Sequence, residues 1–126
     1  MSQHNEVGKI GEEIAKRFLI KQGYKIIEQN YKTKYAEIDL IAKKPFGRLR
    51  AGKIDLVFVE VRTKVGDNFG TPEETINKKK MRKLTGNALA YTAFKKWNGA
   101  LRIDAICIVL NSDYSVKRLN HYENIV

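Results

Sequence analysis

The run Ile54 to Arg62 constrains this chain most. Leu56-Val57-Phe58-Val59 lies at its centre, and it ends in Glu60-Val61-Arg62. Such density of β-branched and aliphatic residues predicts a β-strand. A second run, Lys34 to Ala42, predicts another and carries Glu37-Ile38-Asp39. Side chains alternate faces along a strand, so Glu37 and Asp39 share a face, as do Glu60 and Arg62. If the strands pair with those faces aligned, three acids and one cation meet on a hydrophobic sheet. Carboxylates this close repel unless protons or a divalent cation neutralise them. Hard oxygen donors suit Mg²⁺ or Mn²⁺.

The other elements follow from local pattern. Asn5 to Gln22 predicts a helix, with Val7, Ile10, Ile14, Phe18 and Leu19 as its apolar stripe. Asn5 is its candidate N-cap and Gly23 its candidate C′ residue. Gly8 and Gly11 each cost about 1 kcal/mol against Ala inside a helix, so a close backbone approach is expected there. Glu12 and Glu13 follow, either as first-turn acids that suit the helix dipole or with one aimed at the acids on the sheet. Tyr24 to Asn30 predicts a short strand near an edge. A loop between Lys43 and Lys53 makes a long hairpin, and its Lys44, Arg48, Arg50 and Lys53 either reach a phosphate backbone or lie on a solvated, mobile loop. Thr71, Pro72 and Glu73-Glu74 predict the start of a second helix running to about Lys96. Ile76, Leu84, Ala88 and Tyr91 form its buried stripe, while Lys78, Lys79, Lys80, Arg82 and Lys83 crowd its first half. Leu101 to Leu110 and Tyr114 to Tyr122 predict two more strands, with Arg102, Asp104 and Ile106 on one face of the first. The order α-β-β-β-α-β-β specifies an α/β or α+β fold with a mixed sheet and flanking helices.

Charge then narrows the partners. The chain has 126 residues, expected as a single domain over 1–126, with 24 Lys and Arg against 14 Asp and Glu, net +10. That balance favours an anionic partner, and nucleic acid is the commonest. The single cysteine, Cys107, sits in an apolar run and excludes an internal disulfide framework. Two histidines are too few for a Cys/His zinc site. The first residues lack the apolar stretch of a signal peptide, and no run approaches a membrane span. The expected location is the cytoplasm, with no membrane partner.

An acid, about twenty residues, then Glu-x-Lys is the spacing of the PD-(D/E)xK nucleases, here Asp39, Glu60 and Arg62. The wider pattern carries a closer resemblance. Gly8, Gly11-Glu12, Ala15, Leu19, Gly23-Tyr24, Asn30-Tyr31 and Glu37-Ile38-Asp39-Leu40-Ile41-Ala42 belong to it. So do Phe58-Val59-Glu60-Val61, Gly70, Pro72, Glu74, Lys80, Leu84, Arg102, Asp104, His121 and Glu123-Asn124. Through them the chain resembles the bacterial YraN-type uncharacterised family. That family is assigned to the restriction-endonuclease-like fold and is similar to archaeal Holliday-junction resolvases.

The resemblance implies a Mg²⁺- or Mn²⁺-dependent endonuclease on DNA, branched or structured DNA included, and leaves room for a homodimer. It makes Glu12, Asp39 and Glu60 the metal-binding acids and Lys80 a contact from the second helix. Charge density, apart from the resemblance, adds Lys78, Lys79, Lys83, Arg48 and Arg50 as candidate nucleic-acid contacts. Two positions depart from the family. Ala36 replaces the usual glycine before Glu37. Arg62 replaces the usual lysine, with Lys64 two residues on. Arginine neutralises phosphate but cannot act as a base, so Arg62 is expected to hold activity down unless Lys64 substitutes. The alternatives are a nuclease fold that binds DNA without cutting and an interaction domain whose charges are incidental.

Overall fold

The computed structural model describes residues 3–34, 36–45 and 53–126. Arg48 and Arg50 lie outside the described residues. The elements run α1 (Gln3–Lys21), β1 (Lys25–Lys32), β2 (Glu37–Pro45), β3 (Ile54–Val65), α2 (Lys78–Phe94), β4 (Ala100–Leu110) and β5 (Val116–Tyr122). This is the expected α-β-β-β-α-β-β order of a mixed α/β fold. The five strands form one sheet in sequence order. All neighbours are antiparallel except β3 and β4, which run parallel. Parallel neighbours need a crossover, and α2 supplies it.

The helices cover opposite faces of the sheet. On one side Val7, Ile10, Ile14 and Phe18 of α1 pack over Leu40, Ala42, Val57, Val59, Val61, Ile106, Ile108 and Leu110. On the other, Leu84, Ala88 and Tyr91 of α2 pack on Ile38, Ile41, Leu56, Phe58 and Ile103. Strand β3 therefore alternates between two cores, which is why its centre is apolar at every position.

Four local expectations need correction. Helix α1 begins at Gln3, so Asn5 lies within it and is not its N-cap. The second helix does not begin at Thr71. Residues Glu73–Thr75 form a 3-10 turn, Ile76 leaves helical geometry, and Asn77 caps α2 by accepting from the Lys80 N–H at 2.8 Å. Glu73 cannot join the helix freely because Arg118 grips its carboxylate with two hydrogen bonds, 2.7 and 2.9 Å, from across the fold. Strand β2 runs on through Lys43, Lys44 and Pro45, expected as loop, since each pairs with β3. The last strand begins at Val116, because Tyr114 has φ 69° in a turn closed by the Asn111 N–H to Ser115.

The α1 glycines divide by environment. A methyl group at Gly11 would lie 1.7 Å from Thr63 Oγ1 and 2.7 Å from Thr63 Cβ, whereas one at Gly8 meets nothing within 4 Å. Rotating Thr63 about χ1 cannot move its Cβ, so Gly11 is the close approach of helix to sheet. Gly11→Ala should therefore lower the thermal midpoint, the overpacking cost of roughly 1–3 kcal/mol exceeding the gain in helix propensity. Gly8→Ala keeps that gain and should raise the midpoint. Thermal denaturation followed by circular dichroism reads both. Gly23 has φ 91° and closes α1, its N–H bonded to Ile20 and the Tyr24 N–H to Leu19, a Schellman arrangement that glycine permits.

Candidate metal centre

Strand β2 parts from β3 at one end of the sheet. Their pairing stops at Leu40 opposite Val59, while β3 continues beside β4 to Val65. The parting leaves the Val61 N–H without a β2 carbonyl, and the Asp39 carboxylate accepts it at 2.8 Å. Alternation along β2 breaks at the same place. Ile38 packs on the α2 side and Leu40 on the α1 side, although they are two residues apart.

The opening is a cleft of about 930 Å³. Its lining brings together Glu12 from α1, Glu37 and Asp39 from β2, Glu60, Arg62 and Lys64 from β3, and Lys80 from α2. Carboxylate oxygens of Glu12, Glu37 and Asp39 lie within 4.8 Å of one another. Asn30 on β1 holds two of the three, donating from Nδ2 to Glu12 and to Glu37 at 2.9 Å each. Glu60, expected among the metal-binding acids, has a different setting. It is buried, with Arg62 Nη2 at 3.2 Å and Lys80 Nζ at 3.1 Å from its Oε2. Lys78, Lys79 and Lys83 are exposed on the first two turns of α2, outside the cleft lining.

Burial and the adjacent Glu60 carboxylate, with a smaller part from Glu12, push Asp39 up to about 8, against the opposing Val61 hydrogen bond. The group thus keeps a proton at neutral pH that an unfolded chain would lose near 3.8. The folded state binds more protons across that window, so this carboxyl makes stability fall as pH rises from about 4 to about 8.

Three hard oxygen donors suit Mg²⁺ or Mn²⁺. A cation there would displace the Asp39 proton. Excess Mg²⁺ should consequently raise the thermal midpoint more at pH 8 than at pH 5. An equal rise at both would assign the cation to another site. Glu37 and Asn30 stand in the cluster although the resemblance named neither as a metal-binding residue. Glu37 was legible as the other acid of Glu37-Ile38-Asp39; Asn30 reaches the acids only through strand pairing.

Fold and cleft together define a mixed α/β protein with an acid-lined, cation-flanked opening at the end of its sheet. The chain belongs to uncharacterised protein family UPF0102, whose family model matches residues 11–108; this is the YraN-type family that the sequence resembles. A UPF0102 protein of Caldanaerobacter subterraneus subsp. tengcongensis is 40% identical over 122 residues, covering 94% of this chain and 92% of the relative. One from Thermodesulfovibrio yellowstonii is 38% identical over 119 residues, 94% of each chain. Another, from Porphyromonas gingivalis, is 35% identical over 124 residues, 98% of this chain and 86% of the relative. These names state a family and no activity. Among the described residues no helix is long and apolar enough to cross a membrane.

Proposed function

We propose that this chain is a single restriction-endonuclease-like domain of the cytoplasm, acting as a Mg²⁺- or Mn²⁺-dependent endonuclease on branched or structured DNA. The observation that carries the reading is the convergence of Glu12, Glu37 and Asp39 in one cleft with Arg62, Lys64 and Lys80. Glu12, Glu37 and Asp39 would hold the cation, which would supply positive charge to the phosphate and lower the pKa of water. The protein's own groups do the rest. Asn30 fixes Glu12 and Glu37 relative to each other. The Val61 N–H fixes Asp39. Glu60 orients Arg62 and Lys80 at the cleft wall, where their charge draws in a phosphodiester. Because Arg62 is engaged with Glu60, Lys64 is the residue of this strand left to meet phosphate or orient water.

The test is cleavage of linear, single-stranded, forked and four-way DNA with Mg²⁺ and with Mn²⁺. Metal-dependent cleavage is expected, lost in Lys64→Ala and nearly unchanged in Arg62→Lys. Absence of cleavage with retained binding would leave a DNA-binding module that keeps the fold without cutting. The pairing of Glu60 with two cations favours that second reading, since it offsets an acid a metal would otherwise use.

A further inference from the structure

The segment joining β3 to α2 carries Phe69, which is 98% exposed although it belongs to the cleft lining. Burying such a side chain is worth about 1.5–3 kcal/mol, which Phe69 forgoes in water. The segment around it is anchored on both sides. Gly66 N–H donates to the Leu110 carbonyl at 2.9 Å, and Asp67 pairs with Lys117 at 3.6 Å. Beyond Phe69, Pro72 is buried, and Glu73 is held by Arg118 and by the Tyr122 hydroxyl at 2.7 Å. Gly66 and Gly70, with φ of 72° and 109°, turn the chain on either side of the ring. Phe69 is thus presented at the mouth of the cleft by a segment tied to β4 and β5.

The same cleft is lined by Arg62, Lys64 and Lys80. Cations that follow phosphates beside an aromatic face that stacks a base are the two features by which proteins hold unpaired nucleotides. In a continuous duplex the base faces are already stacked on each other, leaving nothing for the ring. We infer that Phe69 is a stacking platform for an unpaired base, making the cleft select nucleic acid with unpaired nucleotides over continuous duplex. The inference rests on the nuclease reading for the identity of the ligand. It adds the feature of the substrate that is recognised and the residue that recognises it.

The test compares affinity for a forked oligonucleotide and for a blunt duplex of equal length, in Ca²⁺. The proteins are the full chain and its Phe69→Ala, Phe69→Leu and Phe69→Trp variants. Phe69→Ala should weaken fork binding by roughly 5- to 150-fold, the range for loss of one base stack, and leave blunt duplex nearly unchanged. Phe69→Trp should restore fork preference and Phe69→Leu should not. Equal fork affinity in wild type and Phe69→Ala would overturn the inference alone, as would restoration by leucine, which would make the ring an apolar contact for a protein partner. Absence of binding to either DNA by the wild type would overturn the nuclease reading with it.

Discussion

Asp39→Asn should abolish the proposed metal-dependent cleavage and leave the fold intact. The amide keeps the shape of the carboxyl and an oxygen to accept the Val61 N–H, so the end of β2 stays in place. Asparagine cannot offer the anionic oxygen that a hard cation needs. Loss of a residue that merely supports a metal ligand costs roughly 10–100-fold, so loss of Asp39 itself should exceed that range. DNA binding should persist, because Asp39 already holds a proton at neutral pH and the amide changes no charge there. Nicking measured beside a gel-shift titration checks both halves. Cleavage surviving in the purified variant would place the activity at another site.

Asp104→Ala should be the most damaging substitution for stability. Asp104 is fully buried on β4. It accepts from Arg102 Nε and Nη2 at 2.8 Å each, from His121 Nε2 at 2.7 Å and from the Asn124 N–H at 2.9 Å. Burial alone would raise its pKa, but the His121 and Arg102 hydrogen bonds outweigh burial and hold it below the ordinary 3.8. Its stabilising contribution is therefore present above about pH 4 and is lost as pH falls further. Removing the carboxylate strands the Arg102 guanidinium, leaving Asp55 at 3.6 Å and Glu123 at 3.9 Å as its ion partners. Breaking a buried pair from one side costs about 3–5 kcal/mol, equivalent to a midpoint lower by roughly 10–20 °C in a chain of this size. A drop of a few degrees would mean that water or Glu123 replaces the lost partner. The cluster lies away from the cleft, so what folded variant remains should still bind divalent cations.

Sequence made the frame legible where physics is local. The α1 stripe, the apolar centre of β3 and the Gly23 cap each depend on residues a few positions apart. The grouping of Arg102, Asp104 and Ile106 also follows from alternation, and Ile106 faces α1 as that predicts. Legibility ended where long-range contacts decide. Thr71-Pro72-Glu73-Glu74 has every local mark of a helix start, but Arg118, 45 residues away, holds Glu73 and Asn77 takes the cap. Alternation placed Glu37 beside Asp39 yet could not foresee the break between Ile38 and Leu40, which turns the end of β2 into the cleft. It placed Arg62 beside Glu60 but could not add Lys80, because that pairing depends on how α2 lies against the sheet. Phe69 carried no signal at all, since exposure of an aromatic is a property of the assembled fold.

The most direct test of the acid cluster is a Mn²⁺ titration at pH 8, followed by loss of the free-ion paramagnetic resonance signal. It compares the wild type with Glu12→Gln, Glu37→Gln and Asp39→Asn. Saturable binding in the wild type, weakened in each variant, is the predicted result, with Lys78→Ala binding as the wild type does. Mn²⁺ uptake absent from the wild type, or identical in all three acid variants, would contradict a metal centre built from Glu12, Glu37 and Asp39.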